Sequence, residues 1–270
     1  MLYFIGLGLY DYKDISLKGI EALKSVDFVY AEFFTSKLFG SSLEAIEELI
    51  SKEIIVLNRS EVEEENIFLN KAKTHNVALI TGGDPLIATT HTDFLVEAKN
   101  MGIETEVIHG SSILSAALGI SGLQGYKFGK VTTIPFPDEN FFPHSPYLAI
   151  EENLKNNAHT LVLLDIQADK DRFMTVNQGL KYLLKVREDL IDNGKSPNDL
   201  LINENTLAVG IARVGSKDVE VKADKIANLI NHDFKTPLHC IAIPSKLHIV
   251  EAEYLIAIAG ADKEILNNTY

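Results

Sequence analysis

The chain has 270 residues, 46% of them apolar and 23% charged, and its 25 Lys and Arg against 38 Asp and Glu give a formal net charge of −13. This composition supplies a sizeable core and excludes disordered, collagen-like and low-complexity classes. A single cysteine, Cys240, excludes a disulfide framework and a thiolate metal cluster and fits a reducing, cytoplasmic compartment, while the acidic balance argues against a general nucleic-acid binder. No apolar run approaches the roughly 18–20 residues of a membrane span, and no basic segment precedes an apolar one at the start of the sequence, so a secretory signal is not expected.

In chain order the sequence reads as alternating strands and helices. Residues 2–8 form a short apolar run, read as a buried strand. Ser16 is placed to cap a helix carrying Leu17, Ile20 and Leu23. Residues 28–34 return to β-branched and aromatic types, and Ser41-Ser42-Leu43-Glu44 opens a helix with Ile46, Leu49 and Ile50. A strand is expected over 54–57, and Ser60-Glu61-Val62-Glu63 opens another boxed helix. A strand over 77–81 ends in Gly82-Gly83-Asp84-Pro85, followed by a helix over 90–100 that stops at Gly102. Residues 104–108 form a strand ending at His109-Gly110, with Ser111-Ser112 capping a helix through Leu118. Five such βα units imply a largely parallel sheet covered by helices.

Closely spaced glycines (119, 122, 125, 129) and a loop crowded by Pro135, Pro137, Pro143 and Pro146 mark a boundary in 120–130. The expected domains are 1–122 and 123–270. The second half reads as strands near 160–165, 206–213 and 239–243, with helices near 175–193, 222–231 and 247–259 and a surface loop over 192–204. The fold class is α/β in two parts, and no internal repeat is evident.

The glycines carry the functional signal. Three strands of the first half end in Gly6-Leu7-Gly8-Leu9, Gly82-Gly83-Asp84-Pro85 and His109-Gly110-Ser111-Ser112. In a parallel sheet the carboxyl ends share one edge, where ligands generally bind, and glycine lets backbone groups approach a ligand without a Cβ in the way. A helix starting after Ser111-Ser112 also presents unpaired N–H groups. The turns together point to a small polar ligand held largely by backbone.

Other chemistries fit poorly. A dinucleotide fingerprint would need a third glycine at position 11, which is Asp11. A GxxxxGK[ST] loop and a Gly-x-Ser-x-Gly elbow are both absent. His91, His109, His239 and His248 are scattered, without a His-Glu-x-x-His or Cys pair, so no metal site is expected.

Several separated motifs resemble the diphthine synthases. They are Ile5-Gly6-Leu7-Gly8-Leu9, Asp11-x-x-Asp14-Ile15, Ala31-Glu32-x-x-Thr35-Ser36, Gly83-Asp84-Pro85-x-x-Ala88-Thr89-Thr90-His91 and Tyr126-Lys127-Phe128-Gly129. The second half adds His159-Thr160-Leu161, Leu164-Asp165-Ile166, Met174-x-Val176-Asn177-Gln178, Gly210-Ile211-Ala212-Arg213-Val214-Gly215, Pro237-Leu238-His239 and Lys246-Leu247-His248-x-Val250-Glu251. Gly82 stands where some relatives carry Val, which changes bulk but keeps the turn.

The resemblance implies a two-domain, tetrapyrrole-methylase-like fold, with a mostly parallel sheet in the first domain and a mixed sheet in the second. It implies a homodimer that holds S-adenosylmethionine in the cleft between domains and releases S-adenosylhomocysteine. The implied protein substrate is translation elongation factor 2, methylated on the amino group of a 3-amino-3-carboxypropyl-modified histidine in diphthamide biosynthesis. The implied cofactor contacts are Leu9, Asp84, Ile87, Ser112, Ile113, Leu163, Val214 and His239. No membrane or direct nucleic-acid partner follows from it.

A sulfonium methyl is already electrophilic, so alignment supplies most of the catalysis, and no general base is assigned. Asp165 and Glu32 are candidate carboxylates for the positive charge left on the product. The same residues also have structural readings. Asp84-Pro85 also initiates turns, His91 reads as bonded to the preceding loop, and His239 on a buried strand is by itself a core histidine. Tyr126 and Phe128 read as domain-junction packing or a substrate platform, and Arg213 as a carboxylate contact or the partner of an internal acid. The acidic run 61–65 reads as a solvated helix face, and Cys240 as a small buried apolar residue. The alternative function on the same fold is a tetrapyrrole or cobalamin-pathway C-methyltransferase, which usually opens with Gly-x-Gly-Pro-Gly where this chain has Leu9-Tyr10. Behind it stand a non-catalytic cofactor-binding protein and an NAD oxidoreductase.

Overall fold

The computed structural model describes residues 1–34, 36–139 and 141–269, apart from the side chain of Asn268. Thr35, in one of the motifs above, lies outside the described residues. The chain divides into two compact units: Met1–Ile113 with Ile166–Arg172 and Gly215–Lys217, and Leu114–Asp165 with Phe173–Val214 and Asp218–Tyr270.

In chain order the first elements are β1 (Leu2–Gly6), α1 (Leu17–Ser25), β2 (Phe28–Glu32), α2 (Leu43–Ile50), β3 (Ile54–Leu57) and α3 (Arg59–Glu63). They continue with α4 (Ile67–Ala72), β4 (Val77–Thr81), α5 (Thr92–Asn100), β5 (Thr105–Ile108) and α6 (Ile113–Ile120). The strands form one parallel sheet in the order β3-β2-β4-β1-β5. Central strands of such a sheet are buried on both faces, and all five residues of β4 are buried. Alternation sends Leu2, Phe4 and Leu79 into one apolar layer with Phe68 and Phe94, and Ile5, Ala78 and Ile80 into another with Leu23 and Ile46.

Ser16 accepts a hydrogen bond from Gly19 N–H and caps α1 as the sequence predicts. The box expected from Ser41 and Glu44 gives way to Ser42, which accepts from Ala45 N–H and caps α2 one residue later, Ser41 accepting instead from Tyr12 N–H. At α3 the frame differs. Asn58 and Glu61 form the reciprocal capping box, and Ser60 lies inside the helix. Both frames match the cap-x-x-Glu pattern, and β3 ending at Leu57 selects the earlier one.

The second half contains β6 (Thr132–Ile134), α7 (Ser145–Lys155), β7 (Thr160–Leu164), the short ladder of β8 (Ile166–Gln167) and β9 (Arg172–Phe173), and α8 (Val176–Asp192). It ends with β10 (Leu207–Ala212), β11 (Glu220–Lys225), α9 (Ile226–Leu229), β12 (His239–Ile243) and α10 (Ile249–Ala257). The second sheet runs β11-β10-β12-β7-β6, with β6 and β7 parallel and the other neighbours antiparallel. Its core includes Tyr147, Leu180, Leu183, Ile241 and Ile243. The α/β class, parallel first sheet and mixed second sheet agree with the sequence reading.

Three local expectations change. The helix expected over 222–231 is β11 followed by the four-residue α9. Glu220-Val221-Lys222-Ala223-Asp224-Lys225 alternates as an edge strand does, and it pairs with β10 from Ala212↔Glu220 to Leu207↔Lys225. The proline-crowded loop runs into α7, where Pro146 occupies the first turn and needs no N–H. Within the predicted surface loop over 192–204, Ile202 is fully buried and its carbonyl accepts from the Tyr147 hydroxyl at 3.1 Å. No helix among the described residues is long and apolar enough to cross a membrane.

Candidate functional site

The strand order makes β4, β1 and β5 neighbours, so their carboxyl-end turns lie side by side. The three glycine turns meet in backbone contact. Gly8 and Gly83 exchange hydrogen bonds, 3.1 Å from Gly8 N–H to Gly83 O and 2.7 Å in return. A Cβ on Gly6 would overlap Gly83 O and come within 2.7 Å of Gly110 N, and one on Gly110 would overlap Gly83 O and meet Gly6 C at 2.8 Å. Gly6 and Gly110 are therefore needed for packing turn on turn. Gly83 differs: a Cβ there meets no atom within 4 Å, and its φ of +72° is what favours glycine. It is the open point of the rim.

Asp14 shapes the first turn. Its Oδ2 accepts from the N–H groups of Tyr10 at 2.8 Å, Leu9 at 3.2 Å and Asp11 at 3.4 Å. The Leu9 N–H is thus engaged, leaving that residue its carbonyl and side chain for a ligand.

Asp84, 7% exposed, has both oxygens engaged. Oδ1 accepts from Leu86 N–H at 3.0 Å, closing the turn at Pro85, and Oδ2 lies 2.7 Å from Nδ1 of His109. Asp84 thus has the turn-forming role, and its second carboxylate oxygen is bonded to His109. Ile87 is exposed, its N–H reaching Asp84 O at 3.4 Å. Ser112 and Ile113, both half-buried, stand at the start of α6 on the turn that carries His109. Five of the eight expected cofactor contacts, Leu9, Asp84, Ile87, Ser112 and Ile113, belong to these three turns.

Behind the rim lies a buried polar cluster. His91, 3% exposed, has Nδ1 3.0 Å from Pro85 O, and its Nε2 stands 3.7 Å from Oε2 of Glu32. This is the loop-bonding role read from the sequence. Burial lowers the His91 pKa against the opposing pull of Glu32. Glu32 is fully buried and accepts from the Thr81 hydroxyl at 3.1 Å, so its carboxylate serves the interior.

In the second unit Leu163 is half-buried on β7, paired with Thr133 and Cys240, and Val214 is half-buried just after β10. His239 is 8% exposed at the start of β12. Its Nδ1 accepts from Val176 N–H at 3.3 Å, so Nε2 carries the proton and donates to Thr236 O at 2.9 Å. Burial lowers its pKa, keeping the ring neutral. With both ring nitrogens engaged, only the apolar ring faces and main chain of His239 remain for a ligand. Asp165 accepts from Phe136 N–H at 2.8 Å.

Arg213 takes the internal-acid reading. It lies 3.2 Å from Glu220, and its guanidinium also donates to the carbonyls of Asp218, Thr236 and Phe234. Burial acts to raise the Glu220 pKa, but hydrogen bonds from His232 and Arg213 bring it below its ordinary value. Phe128 packs edge-on against His159, whereas Tyr126 is 82% exposed. Cys240 is buried, and that burial pushes its thiol up to about 12.

Two constellations escaped the sequence reading. One is the Asp84–His109 pair, whose members are 25 residues apart and meet because β4 and β5 flank β1. The other surrounds Glu251, which is fully buried. It accepts from Lys127 Nζ at 2.7 Å, the N–H groups of His248 and Gln124 at 2.7 and 2.8 Å, and His159 Nε2 at 3.1 Å. Burial alone would raise the Glu251 pKa, yet these donors bring it to about 2. Lys127, His159 and Glu251 each sit in a separate motif of the resemblance, but no spacing rule links them.

The pattern of the Tetrapyrrole (Corrin/Porphyrin) Methylases matches residues 1–230. The chain belongs to the tetrapyrrole methylases. Within that family it is 54% identical over 268 residues to the diphthine synthase of Methanosphaera stadtmanae, covering 99% of each chain. It is also 54% identical over 266 residues to that of Methanothermobacter thermautotrophicus, covering 98% of each. A crystal structure of diphthine synthase matches it with a TM-score of 0.88 and 38% identity over 99% of both chains. This tetrapyrrole methylase is accordingly an S-adenosylmethionine-dependent methyltransferase, as the motif resemblance implies. Its rim fits such a donor: three backbone turns in contact, one glycine open to space and a carboxylate beside it, with no phosphate loop.

Proposed function

We propose that this methyltransferase acts on translation elongation factor 2, methylating the amino group of the 3-amino-3-carboxypropyl-modified histidine to give diphthine. The observation that carries this reading is 54% identity, over 99% of both chains, to a protein named diphthine synthase. Leu9, Asp84, Ile87, Ser112 and Ile113 of the first unit, with Leu163, Val214 and His239 of the second, hold S-adenosylmethionine. The bound cofactor supplies an electrophilic methyl and leaves as S-adenosylhomocysteine. The open Gly83 admits close approach of the ligand, Ile87 and Leu163 offer apolar contact, and the Asp84 carboxylate gives the rim its charge. The protein's task is to keep an uncharged amine in line with the methyl, reacting atoms about 3–3.5 Å apart.

The net charge of −13 suits a basic docking face on the elongation factor, with association that weakens as salt rises. The enzyme works as a homodimer in a reducing cytoplasm, which fits its single, buried Cys240. The test is transfer of labelled methyl from S-adenosylmethionine to purified elongation factor 2 carrying the modified histidine, run beside a porphyrinogen. Label on the elongation factor alone is the expected result, and label on the porphyrinogen would return the tetrapyrrole alternative.

A further inference from the structure

We propose that His109 accepts the proton of the substrate amine before methyl transfer, with Asp84 as the residue that positions it. The proposal rests on the amine-methylating function above and names the base that function lacks.

The geometry fixes which nitrogen is free. The Asp84 carboxylate accepts hydrogen bonds and cannot donate them. At 2.7 Å from Oδ2, His109 Nδ1 is therefore the protonated nitrogen, and the Nε2 lone pair is left pointing away from the partner. The side chains differ sharply in setting, Asp84 being 5% exposed and His109 71% exposed. The anchor is buried and accepts from Leu86 N–H at 3.0 Å, while the imidazole is exposed to solvent. The pair sits on the same turns as Gly83, Ser112 and Ile113, and Asp84 is the charged group that the described contacts put against the ring.

The reaction needs such a group. An α-amino group titrates at about pKa 8, so most of it is ammonium at neutral pH and has no lone pair to attack with. In the proposed step the ammonium N–H proton passes to Nε2 of neutral His109. The freed nitrogen lone pair then forms the new C–N bond as the C–S bond breaks, and sulfur keeps that bonding pair. Imidazolium, beside the Asp84 carboxylate, returns its proton to solvent, which its exposure permits. Imidazole is the side chain whose proton exchange suits general base work at neutral pH.

The test combines spectroscopy, binding and rate. Nitrogen NMR of the free protein should show His109 as the Nδ1–H tautomer, and an Nε2–H tautomer would overturn the assignment. In His109→Asn the single-turnover methylation of modified elongation factor 2 at pH 7 should fall by about ten-fold, because an amine of pKa about 8 is only about one-tenth neutral at that pH without help. Calorimetric affinity for S-adenosylhomocysteine should stay within about two-fold, since base removal costs transition-state and not ground-state interactions. The lost rate should return as pH rises toward 9, where the amine deprotonates unaided, and in part on adding imidazole. An unchanged rate at pH 7, a loss of affinity that accounts for the rate, or a defect that neither pH nor imidazole relieves would each overturn it. A wild-type enzyme that transfers no methyl to the elongation factor would overturn the functional reading and this one together. A transferring wild type with an equally active variant overturns this one alone.

Discussion

Gly8 and Gly83, 75 residues apart, hydrogen-bond to one another in both directions across the ends of β1 and β4. That bridge, with Gly110 packed against Gly6, makes one continuous rim of three turns that in sequence are separate glycine motifs.

The rim sets up a graded alanine series. Gly6→Ala and Gly110→Ala drive a methyl into backbone atoms of the adjoining turns, which have no rotamer to yield, and are expected to cost about 3 kcal/mol. Gly83→Ala meets no atom and pays only for its left-handed backbone, about 1–2 kcal/mol. Chemical denaturation should rank the variants in that order. Equal losses at all three positions would contradict the packing account.

Asp84 and Ser112 are expected to matter for the cofactor. Asp84→Ala releases both Leu86 N–H and His109 and should weaken S-adenosylhomocysteine binding by about ten-fold, as losing a charged hydrogen-bonding group does. Ser112→Ala should weaken it less, and both variants should unfold cooperatively. Calorimetry with the product reads this directly, and wild-type affinity in Asp84→Ala would remove that residue from the site.

Glu251 gives the fold an acid limit. Its pKa is lowered from 4.5 to about 2, so the unfolded chain binds the proton more tightly than the folded one. Its contribution is therefore fully present above about pH 4.5 and is lost as pH falls toward 2, on the order of 3 kcal/mol in all. His159 and His239, whose pKa values burial lowers, act in the same direction but earlier, since protonation below about pH 6.5 favours the unfolded state. Thermal melts should show a loss that begins below pH 6.5 and steepens below 4.5, and Glu251→Gln should flatten the lower part. At neutral pH the same substitution removes the counter-charge of Lys127, whose Nζ still donates to Lys246 O, and should cost about 3 kcal/mol.

Arg213 is predicted to be structural. Arg213→Met leaves Glu220 and three carbonyls without their guanidinium and should destabilise by about 3 kcal/mol. Lysine, lacking the planar fork, should recover only part of that. Cofactor affinity measured well below the melting temperature should be unchanged in Arg213→Lys.

The sequence made the strand–helix alternation of the first sheet legible, because fully buried parallel strands such as β4 are unbroken apolar runs. The glycine turns were legible too, but for a partly different reason. Gly6 and Gly110 answer to each other as neighbours, a relation that exists only once β4, β1 and β5 are ordered. β11 was hidden because its charged edge residues resemble a solvated helix, and its pairing with β10 is what makes it a strand. His239 could be placed on a strand, but the engagement of both its ring nitrogens by Val176 and Thr236 could not be read from spacing. Asp84 with His109, and Lys127 with Glu251, are through-space pairs of the kind that composition and periodicity leave unmarked.

The most direct measurement is a crystal structure with S-adenosylhomocysteine bound. The ligand is predicted to contact the turns bearing Leu9, Asp84, Ile87, Ser112 and Ile113, together with Leu163, Val214 and His239. Density for it elsewhere on the molecule, with those turns unoccupied, would contradict the account.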